Sequence, residues 1–474
     1  CQFLRGVCTA QMGGFPVTTL TAQTVRPPFW GVDEQLKSFG RWLLIWVVLA
    51  NAGFAVLWFS GAPPRHMDIV YTGVLGLIVM RASFWIRYAA FAGALIYSTL
   101  RFIGGLFNLD ISSLLYSLKF FAEIKPSNSY DYIAAAIAIV MVLGIGWRLL
   151  KRNIHFSRPL LIAGAGGLFF TLAGVDLWMG KDMRGHYFRA APAGATFDSA
   201  TNGSGFVARA DGQRHLILIV VEAMGLPQNN PEMSRLMFAP LLQDKAVQAK
   251  FDFSRGSAPY YNSTTAGEIR ELCGRWGDYY DLVDRKDENC IPAKLAAKGY
   301  ETLAMHSFTP NFFAREKWYP NVGFQKMAFK SDMVAEGSEK CGGVFPGACD
   351  RDIPRQISAR LKSAEKPTFL YWLTLNSHLP VPAGLNLNVD NCERVSPLLK
   401  SDYPQICRQF AIYDDIFTAL ASEISAADFP EADILIVGDH MPPYFDRHHR
   451  TQFNPAKVPW LYLKHKPTVQ GASN

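Results

Sequence analysis

Three apolar runs in this 474-residue chain each end in groups able to ligate a cation or move a proton. Run 215–221 is followed by Glu222, run 368–375 by Asn376-Ser377-His378, and run 433–437 by Gly438-Asp439-His440. A carboxylate at one strand end and an Asp-His pair at another are hard-to-borderline ligands suited to a single divalent cation. The stretch 260–273, Tyr-Tyr-Asn-Ser-Thr-Thr-Ala-Gly-Glu-Ile-Arg-Glu-Leu-Cys, adds two adjacent hydroxyls, Thr264 and Thr265, just before a helix start read at 268–272. A hydroxyl at the mouth of a helix, with free backbone N–H groups behind it, is well placed to meet a phosphate. The same Ser-Thr-Thr-Ala pattern is also an ordinary helix N-cap, and a lone Asp-His pair is common in capped loops. What raises both above that reading is convergence: polar residues past the carboxyl ends of parallel strands meet in one crevice.

The elements that must bring them together follow from the pattern. Continuous apolar runs without alternation mark strands buried on both faces. Strands are expected at 215–221, 300–305, 368–375, 433–437 and 459–463, and helices at 233–250, 291–298 and 405–425. That alternation predicts an α/β domain with a mostly parallel sheet covered on both sides.

The first half of the chain is different. Overall, 49% of the residues are hydrophobic, and long apolar runs lie at 42–60, 69–85, 88–107, 132–149 and 159–178. Each is close to the roughly 20 residues that cross a bilayer as a helix, so about five transmembrane helices are expected. No cleavable signal peptide is expected, because the first long run is followed by several more. Lys151, Arg152 and Arg158 crowd the link between the last two runs, and Arg81 and Arg87 flank an earlier link. Basic links face the cytoplasm, which places the N-terminus inside and everything after the fifth run outside. Segment 109–124 is amphipathic and suits either the membrane interface or a connector packed on the bundle. The expected organisation is a cytoplasmic segment 1–40, a transmembrane domain 41–180, a polar linker 181–213 and an extracytoplasmic α/β domain 214–474. Arg101 and Asp176, near span ends, fit snorkelling or a lipid path.

A net charge of +7 with no Lys/Arg-rich run speaks against nucleic acid and leaves anionic lipid headgroups open as partners. Of eight cysteines, six lie between Cys273 and Cys407, an even set that predicts local disulfides in an oxidising compartment.

The order Glu222, Thr264 region, His306, His378, Gly438-Asp439-His440 resembles the sulfatase/alkaline-phosphatase superfamily. Within it the chain is most similar to the membrane-bound phosphoglycerol and phosphoethanolamine transferases, the group of lipoteichoic acid synthase and the periplasmic-glucan phosphoglycerol transferase. His306-Ser-Phe-Thr-Pro-Asn-Phe-Phe313-Ala-Arg315 keeps the spacing of that group's His…Trp-x-Arg motif, with Phe313 in place of Trp. Thr264 and Glu268 match its Thr-x-x-x-Glu pattern, and the Thr264–Cys273 stretch and Cys290 before Gly299-Tyr300 resemble the glucan enzyme.

The resemblance implies that Glu222, Thr264, Asp439 and His440 hold one divalent metal, manganese or zinc. It implies that His306, Phe313, Arg315 and His378 line the substrate site, and that His448 or His449 takes the place of a further histidine. It also implies a bacterial inner-membrane protein with its catalytic domain in the periplasm, a phospholipid donor and a glycan or glycolipid acceptor. The chemistry agrees with the residue types: metal coordination activates a threonine hydroxyl, and histidine and arginine balance the incoming phosphodiester. His378 is the expected proton donor to the departing alcohol. Spacing to Glu268 and Cys273 selects Thr264 as nucleophile, whereas phosphoethanolamine-type motifs, with the nucleophile directly before Ala, select Thr265. The expected activity is transfer of phosphoglycerol from phosphatidylglycerol to a glycan through a phospho-threonine. Transfer of phosphoethanolamine, phosphodiester hydrolysis and a non-catalytic sensor or scaffold role are the alternatives. Cys290-Ile-Pro-Ala-Lys294 is similar to the formylglycine signature Cys-x-Pro-x-Arg of true sulfatases, but with lysine in place of arginine. Sequence proximity and the glucan enzyme's late pair imply the cystines Cys273–Cys290, Cys341–Cys349 and Cys392–Cys407.

Overall fold

The computed structural model describes residues 33–55, 65–107, 130–179, 191, 194–261, 263–444 and 446–467. Strands β1 (His215–Val221), β3 (Glu301–His306), β4 (Lys326–Ala328), β7 (Thr368–Leu373) and β8 (Ala432–Gly438) form the parallel part of a seven-stranded sheet. Its order is β2-β9-β8-β1-β7-β3-β4, with β9 (Lys457–His465) antiparallel to β8 and β2 (Phe251–Pro259) antiparallel to β9. A small hairpin, β5 (Lys340–Cys341) and β6 (Gly347–Ala348), stands apart from it.

The centre of the sheet is buried on both faces, as its uninterrupted apolar runs require. Ile217, Ile219 and Val221 of β1 enter one core, while Leu216, Leu218 and Val220 enter the other. Glu222 and Asp439 therefore leave neighbouring strands at the same level, because Val221 pairs with Gly438. Gly438 is obligatory here: a Cβ would stand 1.9 Å from the carbonyl oxygen of Met224.

Sequence expectations hold for the central strands, for the strand at Lys457–His465, which extends beyond the expected 459–463, and for the helices at Ile291–Ala297 and Pro404–Ser425, and shift elsewhere. The helix expected over 233–250 is three short pieces, Pro231–Leu236, Ala239–Leu242 and Lys245–Lys250. Phe238 takes a left-handed φ of 63° and Pro240 follows it at the first turn of the next piece, which breaks the run. The linker expected over 181–213 is in part a packed element. Ala200–Gly203 is a helical turn held by Glu271, and Phe206 is buried against Tyr462.

In the first half, helices α1 (Glu34–Leu43, continuing through a π-helical stretch Leu44–Leu49 to Ala50–Ala55), α2 (His66–Val79), α3 (Phe84–Phe107), α4 (Tyr130–Leu150) and α5 (Pro159–Met179) overlap the apolar runs. The run expected over 69–85 is divided, with α2 ending at Val79 and the run's last residues opening α3. Two of them, over Ile133–Leu150 and Pro159–Met179, are long and apolar enough to cross a membrane. Helix α2, with 14 residues, is about 21 Å long at 1.5 Å per residue. Segment 109–124 lies outside the described residues. All three expected cystines are formed: Cys273–Cys290, Cys341–Cys349 and Cys392–Cys407.

Candidate active site

Thr264 opens helix α6 (Thr264–Cys273), four residues earlier than the sequence pattern placed the helix start. Ser263 takes the N-cap position with no capping hydrogen bond from its side chain, so the Thr264 hydroxyl is not used as a cap. Thr264 Oγ1 lies 3.0 and 3.3 Å from the two carboxylate oxygens of Glu222 and 3.3 Å from His440 Nε2. Thr265 is turned elsewhere, with its hydroxyl 3.5 Å from Ser263 Oγ. Helix α6 reaches this depth because of Gly267, where a Cβ would come 3.0 Å from Asp439 Cα.

His440 Nε2 is also 3.3 Å from Glu222 Oε1 and 3.4 Å from Asp439 Oδ2. Its other nitrogen, Nδ1, is 2.8 Å from the carbonyl of Met441 and carries a proton to it, so the neutral ring presents a lone pair to the cluster. Asp439 Oδ1 accepts from the backbone N–H groups of Ala223 and His440, while buried Oδ2 has no hydrogen-bond partner among the described residues. Carboxylate oxygens, a hydroxyl and an imidazole lone pair thus converge with no donor hydrogen between them except that of Thr264. The ligand atoms of Glu222, Asp439 and His440 lie within 4.8 Å of one another. This donor set fits a divalent cation of the zinc or manganese kind.

Without a cation the cluster redistributes protons. Burial, and then the Glu222 charge, push Asp439 up to about 7. Burial works against a charged His440, but Asp439 and Glu222 outweigh it and raise the imidazole to about 9. Burial opposes a charged Glu222 too, yet the hydrogen bond from His440 and the nearby histidines hold it down at about 2. A proton on His440 then offsets part of the Glu222 and Asp439 charge.

Of the residues behind this cluster, only Ser377 had a signal in the sequence, as part of the strand-end group 376–378. Thr374 Oγ1 accepts from the Glu222 N–H, and the Ser377 hydroxyl donates to the Glu222 carbonyl at 2.6 Å. Ala223 is left-handed, at φ 54°, and its carbonyl is held by Tyr413 and Gln409 of helix α7 (Pro404–Ser425). Arg270 of α6 donates to the carbonyls of Gly438 and Asp439 while its Nε pairs with Glu271. Asp350 accepts from Ser307 and from the N–H groups of Leu375 and Asn376, tying the ends of β3 and β7 together.

Of the other expected residues, His306 ends β3 and Arg315 stands beside it. The Arg315 fork does not point outward: Nε and Nη2 both donate to Glu268, and Nη1 donates to the Phe312 carbonyl. Nη1 is also 3.4 Å from His306 Nε2, while His306 Nδ1 is 3.2 Å from the Leu373 carbonyl. Burial and the Arg315 charge lower His306 well below the ordinary imidazole range, so it is neutral. Phe313 is left-handed, at φ 55°, with its ring 5.3 Å from the Arg315 guanidinium. His378 is half-buried, with Nδ1 2.7 Å from the Leu379 carbonyl and its ring edge-to-face with Phe345, and burial lowers its pKa. His448 and His449 sit in the turn Arg447–Arg450, where their ring contacts run to Tyr403 and Tyr444. Cys290 is bonded to Cys273. It is therefore no formylglycine precursor.

A family model described as Sulfatase matches residues 214–469. The chain belongs to the sulfatase family. The resemblance read from Glu222, Thr264, His306, His378 and Asp439-His440 is thereby borne out at the level of family. A Rhizobium meliloti protein named for cyclic beta-1,2-glucan modification is 29% identical over 248 residues, which are 49% of this chain and 36% of that protein. The chain thus spans little more than a third of that relative's length. Among solved structures, the lipoteichoic acid synthase LtaP from Listeria monocytogenes is 16% identical, with a TM-score of 0.43 over 58% of this chain and 70% of that one. The phosphoglycerol transferase GacH from Streptococcus pyogenes, in complex with sn-glycerol-1-phosphate, is 14% identical, with a TM-score of 0.37 over 55% and 73%.

Proposed function

We propose that this protein transfers a phosphoglycerol group from phosphatidylglycerol to an extracytoplasmic glycan, with Thr264 as the covalent carrier. The observation that carries the reading is the position of Thr264 Oγ1, buried between Glu222 and His440 in a cluster made almost wholly of acceptors. Glu222, Thr264, Asp439 and His440 would hold a manganese or zinc ion, which supplies the positive charge that lowers the pKa of the threonine hydroxyl.

The chain's own residues perform the rest. Thr264 Oγ forms a bond to the phosphorus of the donor while the bond from phosphorus to the diacylglycerol oxygen breaks. That oxygen takes its proton from His378 Nε2, the ring nitrogen not engaged with the Leu379 carbonyl. Burial lowers the His378 pKa, which makes its protonated form a stronger acid. A glycan hydroxyl then gives its proton to His378 and bonds to phosphorus, and Thr264 Oγ leaves as the alkoxide that made the first attack, so that His378 and Thr264 both return to their starting protonation. Arg315, fixed by Glu268, offers only its Nη1 edge beside His306, and Phe313 covers the same flank. We assign this flank to the substrate, and give His448 or His449, in the turn Arg447–Arg450, the same role.

The glucan in the name of the Rhizobium relative supports a glycan acceptor. We read the apolar helices as about five spans, with residues 214–474 on the periplasmic side of a bacterial inner membrane. The three cystines support an oxidising compartment.

The test is mass spectrometry of the Thr264 peptide after incubation of the full chain with manganese and mixed phospholipids. A glycerophosphate adduct on Thr264 is expected. A phosphoethanolamine adduct assigns the other donor, and turnover without any adduct on Thr264 or Thr265 contradicts the covalent route.

A further inference from the structure

Far along the chain from Thr264, charged residues gather where apolar helices meet. Arg65 at the head of α2, Asp68 one turn on, Ser98 and Arg101 of α3, and Asp176 of α5 form one cluster. All but Arg101 are buried. Charges within apolar helices are costly and mark function more often than packing.

The polar groups are only partly matched. Asp176 accepts from the backbone N–H of Arg65, and the Arg65 guanidinium donates to Ser98 Oγ and lies over the Phe54 ring. The ion pairs are loose: Arg65 Nε to Asp68 Oδ2 is 4.0 Å, and Arg101 Nη1 to Asp68 Oδ1 is 3.8 Å. Neither is a hydrogen bond. Arg65 Nε and Asp68 Oδ1, both buried, have no hydrogen-bond partner among the described residues. Arg101 is 43% exposed and reaches the cluster from the surface, over the Tyr71 ring at 6.0 Å. Tyr71 and Tyr97 are themselves exposed, as interfacial tyrosines are.

The depth is consistent across helices. At 1.5 Å per residue, Ser98 stands about 21 Å and Asp176 about 26 Å from the starts of α3 and α5. Against a hydrocarbon core of roughly 30 Å, that is just below the far boundary, on the side we assign to the catalytic domain.

We propose that this cluster binds the headgroup of a hydroxyl-bearing anionic glycerophospholipid. The inference rests on the membrane and donor readings above and deepens them. Phosphate oxygens accept from Arg101 and Arg65 Nε, and a headgroup hydroxyl donates to Asp68 Oδ1. Two arginines and two aspartates cancel formally, so selection comes from the unmet donor and acceptor rather than from net charge. A choline headgroup, which has no hydroxyl or N–H donor, leaves Asp68 Oδ1 unmet.

The experiment is native mass spectrometry of the full chain released from membranes of equal phosphatidylglycerol and phosphatidylcholine. Wild-type protein retains phosphatidylglycerol in preference. Asp68→Asn and Arg101→Gln each lower that retention at least fivefold, leave phosphatidylcholine retention and the thermal midpoint unchanged, and slow turnover of bilayer phosphatidylglycerol more than turnover of its dihexanoyl analogue. Retention equal to wild type in both variants overturns the site. A lowered midpoint with unchanged lipid preference makes the cluster a helix clamp only and also overturns it. Displacement of the lipid by free glycerophosphoglycerol overturns the lipid as the source of the phosphodiester. Because retention is read without turnover, an absent Thr264 adduct sinks the donor reading alone, and lost headgroup preference with an intact adduct sinks this site alone.

Discussion

Thr264 and Glu268 stand one turn apart on α6, and each faces a buried charged cluster of opposite character. Around Thr264, oxygens and an imidazole lone pair converge, and Asp439 Oδ2 has no hydrogen-bond partner among the described residues. Around Glu268, donors match acceptors: Arg315 gives three hydrogen bonds, Tyr319 one at 2.6 Å and Tyr371 one at 3.0 Å. Both carboxylates are buried, so burial alone does not separate a reactive site from a brace. The difference lies in saturation. A buried carboxylate with its full set of donors needs nothing further, whereas an acceptor-only cluster is stable only with a proton or a cation in it.

The largest effect expected from this contrast is on rate. Thr264→Ala should lower turnover by roughly a thousandfold or more, with the thermal midpoint preserved, because the hydroxyl carries chemistry rather than packing. Steady-state assays with calorimetry check both halves. The mirror experiment is Glu268→Gln, which leaves Arg315 without its counter-charge. It should cost about 3 kcal/mol in denaturant unfolding, as breaking a buried ion pair does. If Glu268→Gln instead abolishes turnover and leaves stability intact, the brace reading is wrong.

Acidity gives a finer separation. Since Asp439 and Glu222 hold His440 up at about 9 in the metal-free protein, a proton must leave before that nitrogen can ligate. Manganese affinity should therefore rise about tenfold per pH unit from pH ~7 to ~9 and level off above. Competition with a fluorescent chelator at three pH values measures this, and a flat profile contradicts a ligand role for His440. The smallest effect should come from the frame. Ser377→Ala removes the hydrogen bond to the Glu222 carbonyl and should cost about 1 kcal/mol, read from the shift in denaturation midpoint.

What the chain's letters revealed follows from the same physics. β1 and β8 were legible because burial on both faces demands unbroken apolar runs, and the residue after such a run falls at the crevice. β2 was not: Phe-Asp-Phe-Ser-Arg-Gly-Ser-Ala-Pro is a half-exposed edge strand without a continuous apolar face. Thr264 was selected over Thr265 by spacing to Glu268 and Cys273: Glu268 stands one turn along α6 from Thr264, and Cys273 is the last residue of that helix. The commitment of Arg315 to Glu268 was not readable, since a motif places an arginine without saying which way its fork points. Arg270 and Asp350 were invisible for a related reason. Each braces the crevice mainly through backbone groups distant in sequence, which no local pattern announces.

The contrast between the two clusters is tested most directly by isothermal titration of manganese into chelator-treated full chain in detergent. Wild-type protein and Glu268→Gln should each bind one ion with similar affinity, and Asp439→Asn should bind it roughly a hundredfold more weakly. Binding that survives Asp439→Asn, or that is lost equally in Glu268→Gln, would contradict the assignment of the cation to the Thr264 cluster.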